Sequence, residues 1–341
     1  MRNDRGFVAA DIKTTSVLRR VPPLGRIRHR AIPAREGDVC LFKLGTAAAP
    51  ITVEAASGRF MTVVPGDIFL ATPGYRESTR WVVGEVPDRG LVASRKYWVL
   101  ADSGVVGQLI GDSPREKGHL ERVTYLGAVC DKRGAAINIR QFAVKTPARA
   151  PDRGAPVFLV VGTSSHVGKT TAVMAVLQAL RDKGHENLVA LKATGTSSID
   201  ELGSYRDYGA AQAFDCVDFG LPTTYPSARD GMHAFFDRAL NTCLSIRSDA
   251  VVIECGGDLF GANVPVFLEC LKDRRSEMKV ILAAPDAPAV LGAKSVLHEM
   301  GLSITVVTGP CTDTPTLQER TEALCGIPAV NMAEEVGIAA P

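Results

Sequence analysis

The stretch Val157-Phe-Leu-Val-Val-Gly-Thr-Ser-Ser-His-Val-Gly-Lys-Thr-Thr171 joins an apolar run to an amphipathic one through a turn bounded by glycines. Val157 to Val161 has the length and branching of a strand buried on both faces. The run from Thr171 to Gly184 has helical spacing and stops at a glycine. A turn of this kind aims backbone N–H groups and a helix N-terminus at an anion. Lys169 would add a point charge for the terminal phosphates of a nucleotide, and the Thr170 hydroxyl is placed to ligate Mg2+. The expected nucleotide-binding residues are therefore Gly162, Thr163, Ser164, Ser165, His166, Val167, Gly168, Lys169, Thr170 and Thr171. The Lys169 side chain is expected to be exposed in the empty loop. His166 is left open between a phosphate or acceptor contact and a solvated loop position. Five residues separate Gly162 from Gly168, one more than the common phosphate-loop spacing.

Beyond the loop, apolar runs alternate with amphipathic ones. NLVALKA (187–193), AVVIEC (250–255), KVILAA (279–284) and SITVVTG (303–309) read as strands. GMHAFFDRALNTCLSI (231–246) and APAVLGAKSVLHEMG (287–301) read as helices. This rhythm predicts an α/β domain with a mainly parallel sheet, in which ligands bind at the carboxyl ends of the strands. The region before it is different. DVCLFKL, FMTVV, DIFLATP, RWVVGEV, KYWVLA, VVGQLIG, VTYLGAVC and AINIRQFAV are short strands broken by Gly, Pro and Asp, which predicts a small all-β barrel or sandwich. EGDVCLFKLG at 36–45 and PGDIFLATPG at 65–74 echo each other, as one turn-then-strand solution used twice. The expected plan is a basic N-terminal segment (1–35), a β-rich domain (36–145), a Pro/Arg/Gly-rich linker (146–155) and the phosphate-loop domain (156–341).

The chain has 341 residues, 46% of them hydrophobic, enough to bury a large core in two domains. Its charges nearly cancel, at +2, so neither nucleic acid nor an anionic membrane is expected as a partner. The arginines between Arg19 and Arg35 read as a solvated face. Eight cysteines form no Cys-x-x-Cys pair and no His/Cys group with zinc spacing, as expected of reduced thiols in a cytosol. No apolar stretch reaches the roughly 20 residues of a membrane span, and the N-terminus lacks a signal-peptide core. Cytoplasmic localisation is expected; self-association into a homo-oligomer is left open.

Gly-Thr-x-x-x-Val-Gly-Lys-Thr, with its extra residue, resembles the loop of the dethiobiotin synthetases and their relatives, the cobyrinic acid amidating enzymes, and so implies a P-loop NTPase domain. The resemblance runs over about 156–332. It implies that Lys192, in VALKATGTSS, lies near the phosphates and the acceptor, and that Glu254, in AVVIECGGDLFG, helps to hold Mg2+. Four apolar residues precede Glu254, and a carboxylate there is costly unless paired or metal-bound. ATGTSS (193–198), AFDCVDFG (213–220) and GIPAVN (326–331) are similar to a second, largely uncharacterised family of dethiobiotin-synthetase-like proteins, some described as D-glutamate N-acetyltransferases. That resemblance makes Asp215 and Asp218 candidates for Mg2+ or substrate binding. The candidate catalytic residues are thus Lys169, Lys192, Glu254 and Asp218, and the candidate metal ligands Thr170, Glu254 and Asp215. Thr308-Gly309-Pro310 sits where relatives read the base but lacks their common Asn, so ATP is the expected nucleotide with GTP left open.

The implied activity is Mg·ATP-dependent phosphorylation of a small-molecule carboxylate or carbamate, which an amine then attacks. Phosphoryl transfer needs positioning and charge neutralisation more than a protein nucleophile. Three alternatives stand beside it. A β domain before such a loop also fits a small-molecule or polynucleotide kinase, although KATGTSS replaces the Asp-rich motif of the RNA 5′-hydroxyl kinases. The second family implies a CoA-dependent N-acyltransferase. The last alternative is a non-catalytic nucleotide switch or metallochaperone.

Overall fold

The computed structural model of the protein describes residues 7–8, 12–78, 82–113, 120–146, 154–225, 231–273 and 278–336. Most of the expected linker, residues 147–153, lies outside the described residues. The chain forms two compact units. Unit 1 comprises Met1–Val144 with Thr196–Asp200 and Cys216–Ser227; unit 2 comprises Lys145–Gly195, Glu201–Asp215 and Ala228–Pro341. Two short pieces of the C-terminal half of the sequence are therefore built into the N-terminal unit.

Unit 1 is made of strands β1 (Phe7–Val8), β2 (Lys13–Thr14), β3 (Arg26–Ile27), β4 (His29–Arg30), β5 (Cys40–Leu44), β6 (Ile51–Glu54) and β7 (Phe60–Val63). It continues with β8 (Ile68–Pro73), β9 (Arg76–Glu77), β10 (Val82–Glu85), β11 (Lys96–Ala101), β12 (Val105–Asp112) and β13 (Arg122–Val129). Antiparallel pairings run β8–β5–β13–β11–β12, and β12 returns to pair in parallel with β8. This closes a ring and leaves those strands without a free edge. Side chains alternate across the ring. Cys40, Phe42 and Leu44 of β5 belong to one core cluster with Phe69, Val106 and Tyr125. Leu41 belongs to another with Leu70, Val105, Val17, Leu18 and Ile27. Both faces of β5 are thus covered at Cys40, Leu41, Phe42 and Leu44, and only Lys43 is exposed.

Of the arginines expected to form a solvated face, Arg20, Arg26, Arg28, Arg30 and Arg35 are exposed, while the nearby Val17, Leu18 and Ile27 are buried in that second cluster. The echoing segments prove to be neighbours. β5 and β8 pair with Leu41 opposite Leu70, and each is entered by the same turn. Gly37 (φ 80°) and Gly66 (φ 93°) hold the left-handed conformation. The following carboxylates, Asp38 and Asp67, each accept the N–H three residues back, from Arg35 at 2.8 Å and Val64 at 3.0 Å.

Unit 2 holds β14 (Val157–Gly162), β15 (Leu188–Thr194), β16 (Ala210–Phe214), β17 (Ala250–Cys255), β18 (Met278–Ala283) and β19 (Ile304–Thr308). All pairings are parallel, in the order β16-β15-β17-β14-β18-β19. Its helices are α1 (Lys169–Asp182), α2 (Ile199–Asp207), α3 (Met232–Ser245), α4 (Val264–Cys270), α5 (Ala287–Glu299), α6 (Pro315–Cys325) and α7 (Met332–Glu335). Helix α1 packs on β14, β17 and β18. Its Ala172, Val173, Val176 and Leu177 share a core with Val160, Ala190 and Val252 of the strands. Phe236 of α3 meets Phe267 of α4 edge to face at 5.3 Å. Because β14 is an interior strand, the loop at its carboxyl end emerges among the ends of β15, β17 and β18.

Candidate functional site

The loop after β14 wraps around its own lysine. Lys169 is 7% exposed and its Nζ donates to the Ser164 carbonyl at 2.7 Å. The expectation of an exposed side chain is thereby corrected: the lysine stem lies over Gly162, where a Cβ would stand 2.7 Å from Lys169 Cδ. Any side chain at 162 would displace the lysine. Burial lowers the pKa of Lys169, opposed chiefly by the Glu254 carboxylate. Gly168 (φ 88°) and His166 (φ 59°) make the left-handed turns that feed α1, and His166 points into solvent. No side chain caps α1. The amides of Lys169, Thr170 and Thr171, in its first turn, have no carbonyl within the helix to bond. Gly309, after β19, closes on the loop, since a Cβ there would be 2.6 Å from the Val167 carbonyl.

The adjacent strand ends carry charge into an apolar interior. Every residue of β15 and β17 is buried, including Lys192 and Glu254, which face each other in register. Burial alone would push Lys192 down, but the carboxylates of Glu201 and Glu254 outweigh it and raise its pKa. Lys192 forms an ion pair with Glu201 of α2. Glu254 accepts from the Tyr205 hydroxyl at 2.6 Å and, weakly, from the Thr170 hydroxyl at 3.4 Å. Burial, with the Glu254 charge, raises the pKa of Tyr205 and keeps it a donor. Burial also raises Cys255 beyond the ordinary thiol range, so it is no thiolate nucleophile. The Asp215 carboxylate, at the end of β16, is fully buried and acts on both Lys192 and Tyr205.

These residues suit a magnesium nucleotide. The Thr163 Oγ1 is buried with no hydrogen-bond partner, a polar atom that a ligand oxygen would satisfy. Thr170 and Glu254 supply adjacent hard oxygen donors, the type Mg2+ takes when phosphate and water complete its shell. Among the described residues no three His, Cys, Asp or Glu side chains are grouped to hold a metal unaided.

The structure thus brings together Lys169, Thr170, Lys192, Glu254 and Asp215. Asp218 belongs to unit 1. The AFDCVDFG motif is divided between the two units, with Asp215 at the end of β16 and Asp218 in unit 1. There Asp218 is 6% exposed and binds Arg19 at 2.6 Å and Arg20 at 3.3 Å. In this structure its carboxylate is engaged by those two arginines. Sequence reasoning missed Glu201 and Tyr205. Their four-residue spacing sets both on one face of α2, a signal that was available once a helix after the Lys192 strand was recognised.

No protein-family model matches the chain. Over 111 residues it is 33% identical to ATP-dependent dethiobiotin synthetases of Yersinia pestis and of Yersinia pseudotuberculosis serotype I, covering 29% of this chain and 50% of each relative. The chain therefore spans about half the length of the curated relatives it matches. Among solved structures, the chloroplast FtsY of Physcomitrella patens is 14% identical over 56% of this chain and 62% of its own, with a TM-score of 0.37. A DUF1611 family protein of Anabaena variabilis is 14% identical over 58% of this chain and 62% of its own, with a TM-score of 0.37. No helix among the described residues is long and apolar enough to cross a membrane. The parallel sheet, the glycine-bounded loop and an α1 that no side chain caps, together with the dethiobiotin synthetase similarity over the matched segment, support an α/β fold of the P-loop NTPase type for unit 2.

Proposed function

We propose that the protein uses Mg·ATP to phosphorylate a small-molecule carboxylate or carbamate, which an amine then attacks. The observation that carries this reading is the pairing of Lys192 with Glu254 across neighbouring buried strands beside the lysine-containing loop. Two lysines and a carboxylate at the ends of adjacent parallel strands are the charge arrangement that an in-line phosphoryl transfer needs. The similarity to ATP-dependent dethiobiotin synthetases over the matched segment supports it.

In this reading the α1 amides and Lys169 hold the phosphate chain, releasing the lysine from the Ser164 carbonyl. Thr170 and Glu254 hold Mg2+, with Tyr205 orienting the Glu254 carboxylate. The bound Mg2+ supplies neutralisation of charge on the phosphate oxygens. Asp215 is kept here as an outer group that biases Lys192 and Tyr205. Lys192 neutralises the charge shared by acceptor and γ-phosphate. An acceptor carboxylate oxygen bonds to the γ-phosphorus as the bond to the bridging oxygen breaks and ADP leaves. The amine then displaces inorganic phosphate from the acyl or carbamoyl phosphate, losing a proton as the amide or cyclic urea forms.

The test is to incubate the protein with ATP, Mg2+, a metabolite pool and hydroxylamine. The reading expects an ATP-dependent hydroxamate or its carbamoyl equivalent, absent in Lys192→Ala. A stable phosphorylated product without trapping would instead establish a kinase, and CoA release without nucleotide consumption an acyltransferase.

A further inference from the structure

Strand β6 ends at Glu54, a carboxylate only 4% exposed. Its Oε2 accepts from the Ser16 hydroxyl at 2.6 Å and from the Ile199 N–H at 3.0 Å, and its Oε1 accepts from the Ser198 hydroxyl at 2.8 Å. All four residues belong to unit 1. A second carboxylate lies near: burial raises the pKa of Asp102, Arg76 opposes that rise, and the Glu54 charge adds to it by a smaller amount. A carboxylate kept there must be held by its donors.

One of those donors identifies what the carboxylate does. Ile199 is the first residue of α2, so Glu54 lies at the positive end of that helix and binds one of its orphan amides. The preceding residues are tied down in the same unit. Ser197 Oγ donates to Ser103 Oγ at 3.2 Å, and Thr196 bridges to Thr223. Helix α2 then passes into unit 2, where Glu201 pairs with Lys192 and Tyr205 with Glu254. Glu201 is within the first turn that Glu54 fixes, and Tyr205 is one turn further on.

We propose that Glu54 is a positioning residue: by capping the first turn of α2 it sets Glu201 against Lys192 and Tyr205 against Glu254. The inference rests on the reading that Lys192 and Glu254 serve phosphoryl transfer.

The experiment compares the full-length protein with Glu54→Ala and Glu54→Gln, reading amide hydrogen exchange by peptide and steady-state ATP turnover. In Glu54→Ala, exchange across 199–205 should rise about tenfold or more while β14, β17 and the β5–β8–β13 strands keep wild-type protection. The kcat should fall about tenfold while KM for ATP stays within about twofold, because the loop that binds the nucleotide is untouched. Glu54→Gln retains the acceptor oxygen and should recover part of both effects. Unchanged exchange across 199–205 would overturn the proposal, and so would a loss of protection spread evenly over unit 1. If Glu54→Ala fails to fold, Glu54→Gln alone decides, with raised exchange confined to 199–205 as the expected result. Absence of ATP turnover in the wild type would count against the functional reading, while the exchange arm would still decide the role of Glu54.

Discussion

Replacing Glu201 by Gln removes the charge that pairs with Lys192 and keeps the side-chain shape. The lysine is 7% exposed, so its ammonium would remain in a nearly dry place with Glu254 and Asp215 as the remaining opposite charges. Removing one partner of a fully buried pair costs about 3–5 kcal/mol. The Glu201 side chain is 30% exposed, which screens the pair, and the expected loss is reduced to about 2 kcal/mol. The pH dependence has a definite sign. In the wild type the Lys192 pKa is raised above its ordinary 10.5, so its contribution is present in full below that pH and is lost as pH rises through the higher, folded value. In Glu201→Gln burial is less opposed, the lysine pKa falls, and its penalty shrinks as pH climbs toward the ordinary value. The stability gap should therefore be widest near neutrality and narrow on the alkaline side. Trp98 lies in unit 1, so its fluorescence reports that unit and not this pair. The assay is native-state hydrogen exchange of the β15 and β17 amides, which should exchange about 30-fold faster in the variant at pH 7. A change below about twofold, or a gap that stays constant with pH, would show that the ion pair does not hold Lys192 in place.

Lys169→Ala should lower nucleotide turnover by at least about 100-fold while changing stability by less than about 1 kcal/mol, since the lysine is itself charged against burial; turnover near wild type would end the phosphate-loop account. Tyr205→Phe removes a 2.6 Å donor from buried Glu254, so unit 2 should lose about 1–3 kcal/mol, measured by exchange of β17 amides; an unchanged β17 would make the bond dispensable. Thr170→Val should raise the Mg2+ concentration needed for turnover more than it weakens metal-free nucleotide binding, and a coincident Mg2+ titration would show that its hydroxyl is not a ligand. Asp218→Asn, which removes the charge paired with Arg19, should cost unit 1 about 2 kcal/mol in tryptophan-monitored melting with nucleotide binding intact; a selective loss of turnover without loss of stability would assign Asp218 a catalytic role.

The phosphate loop was legible because its chemistry is local: strand, glycine-bounded turn, Lys169 and Thr170 lie within one short stretch. Glu254 was legible as a carboxylate after four apolar residues, and Lys192 through the resemblance to the dethiobiotin synthetases. The placement of Asp218 was not legible. Its partners Arg19 and Arg20 lie about two hundred positions away, and nothing in the local pattern of either segment names the other. The same holds for Thr196–Asp200, which begins four residues after Lys192 yet is anchored in unit 1 by Glu54 and Ser103. Helix α2 escaped notice because IDELGSYRD buries only Leu202 and Tyr205, too few apolar positions to display a helical period. The arginines of the N-terminal segment are legible as an exposed face, whereas the burial of Val17, Leu18 and Ile27 depends on distant β strands that the local pattern does not name.

The claim that a carboxylate or carbamate is activated by phosphorylation is tested most directly by following oxygen. An acceptor found by hydroxylamine trapping would be enriched with oxygen-18 in its carboxylate or carbamate group and turned over with ATP, Mg2+ and the amine. Because the acceptor oxygen attacks the γ-phosphorus and departs with it, one labelled oxygen should appear in each inorganic phosphate released. Inorganic phosphate carrying label only from solvent water, at full turnover, would contradict the account.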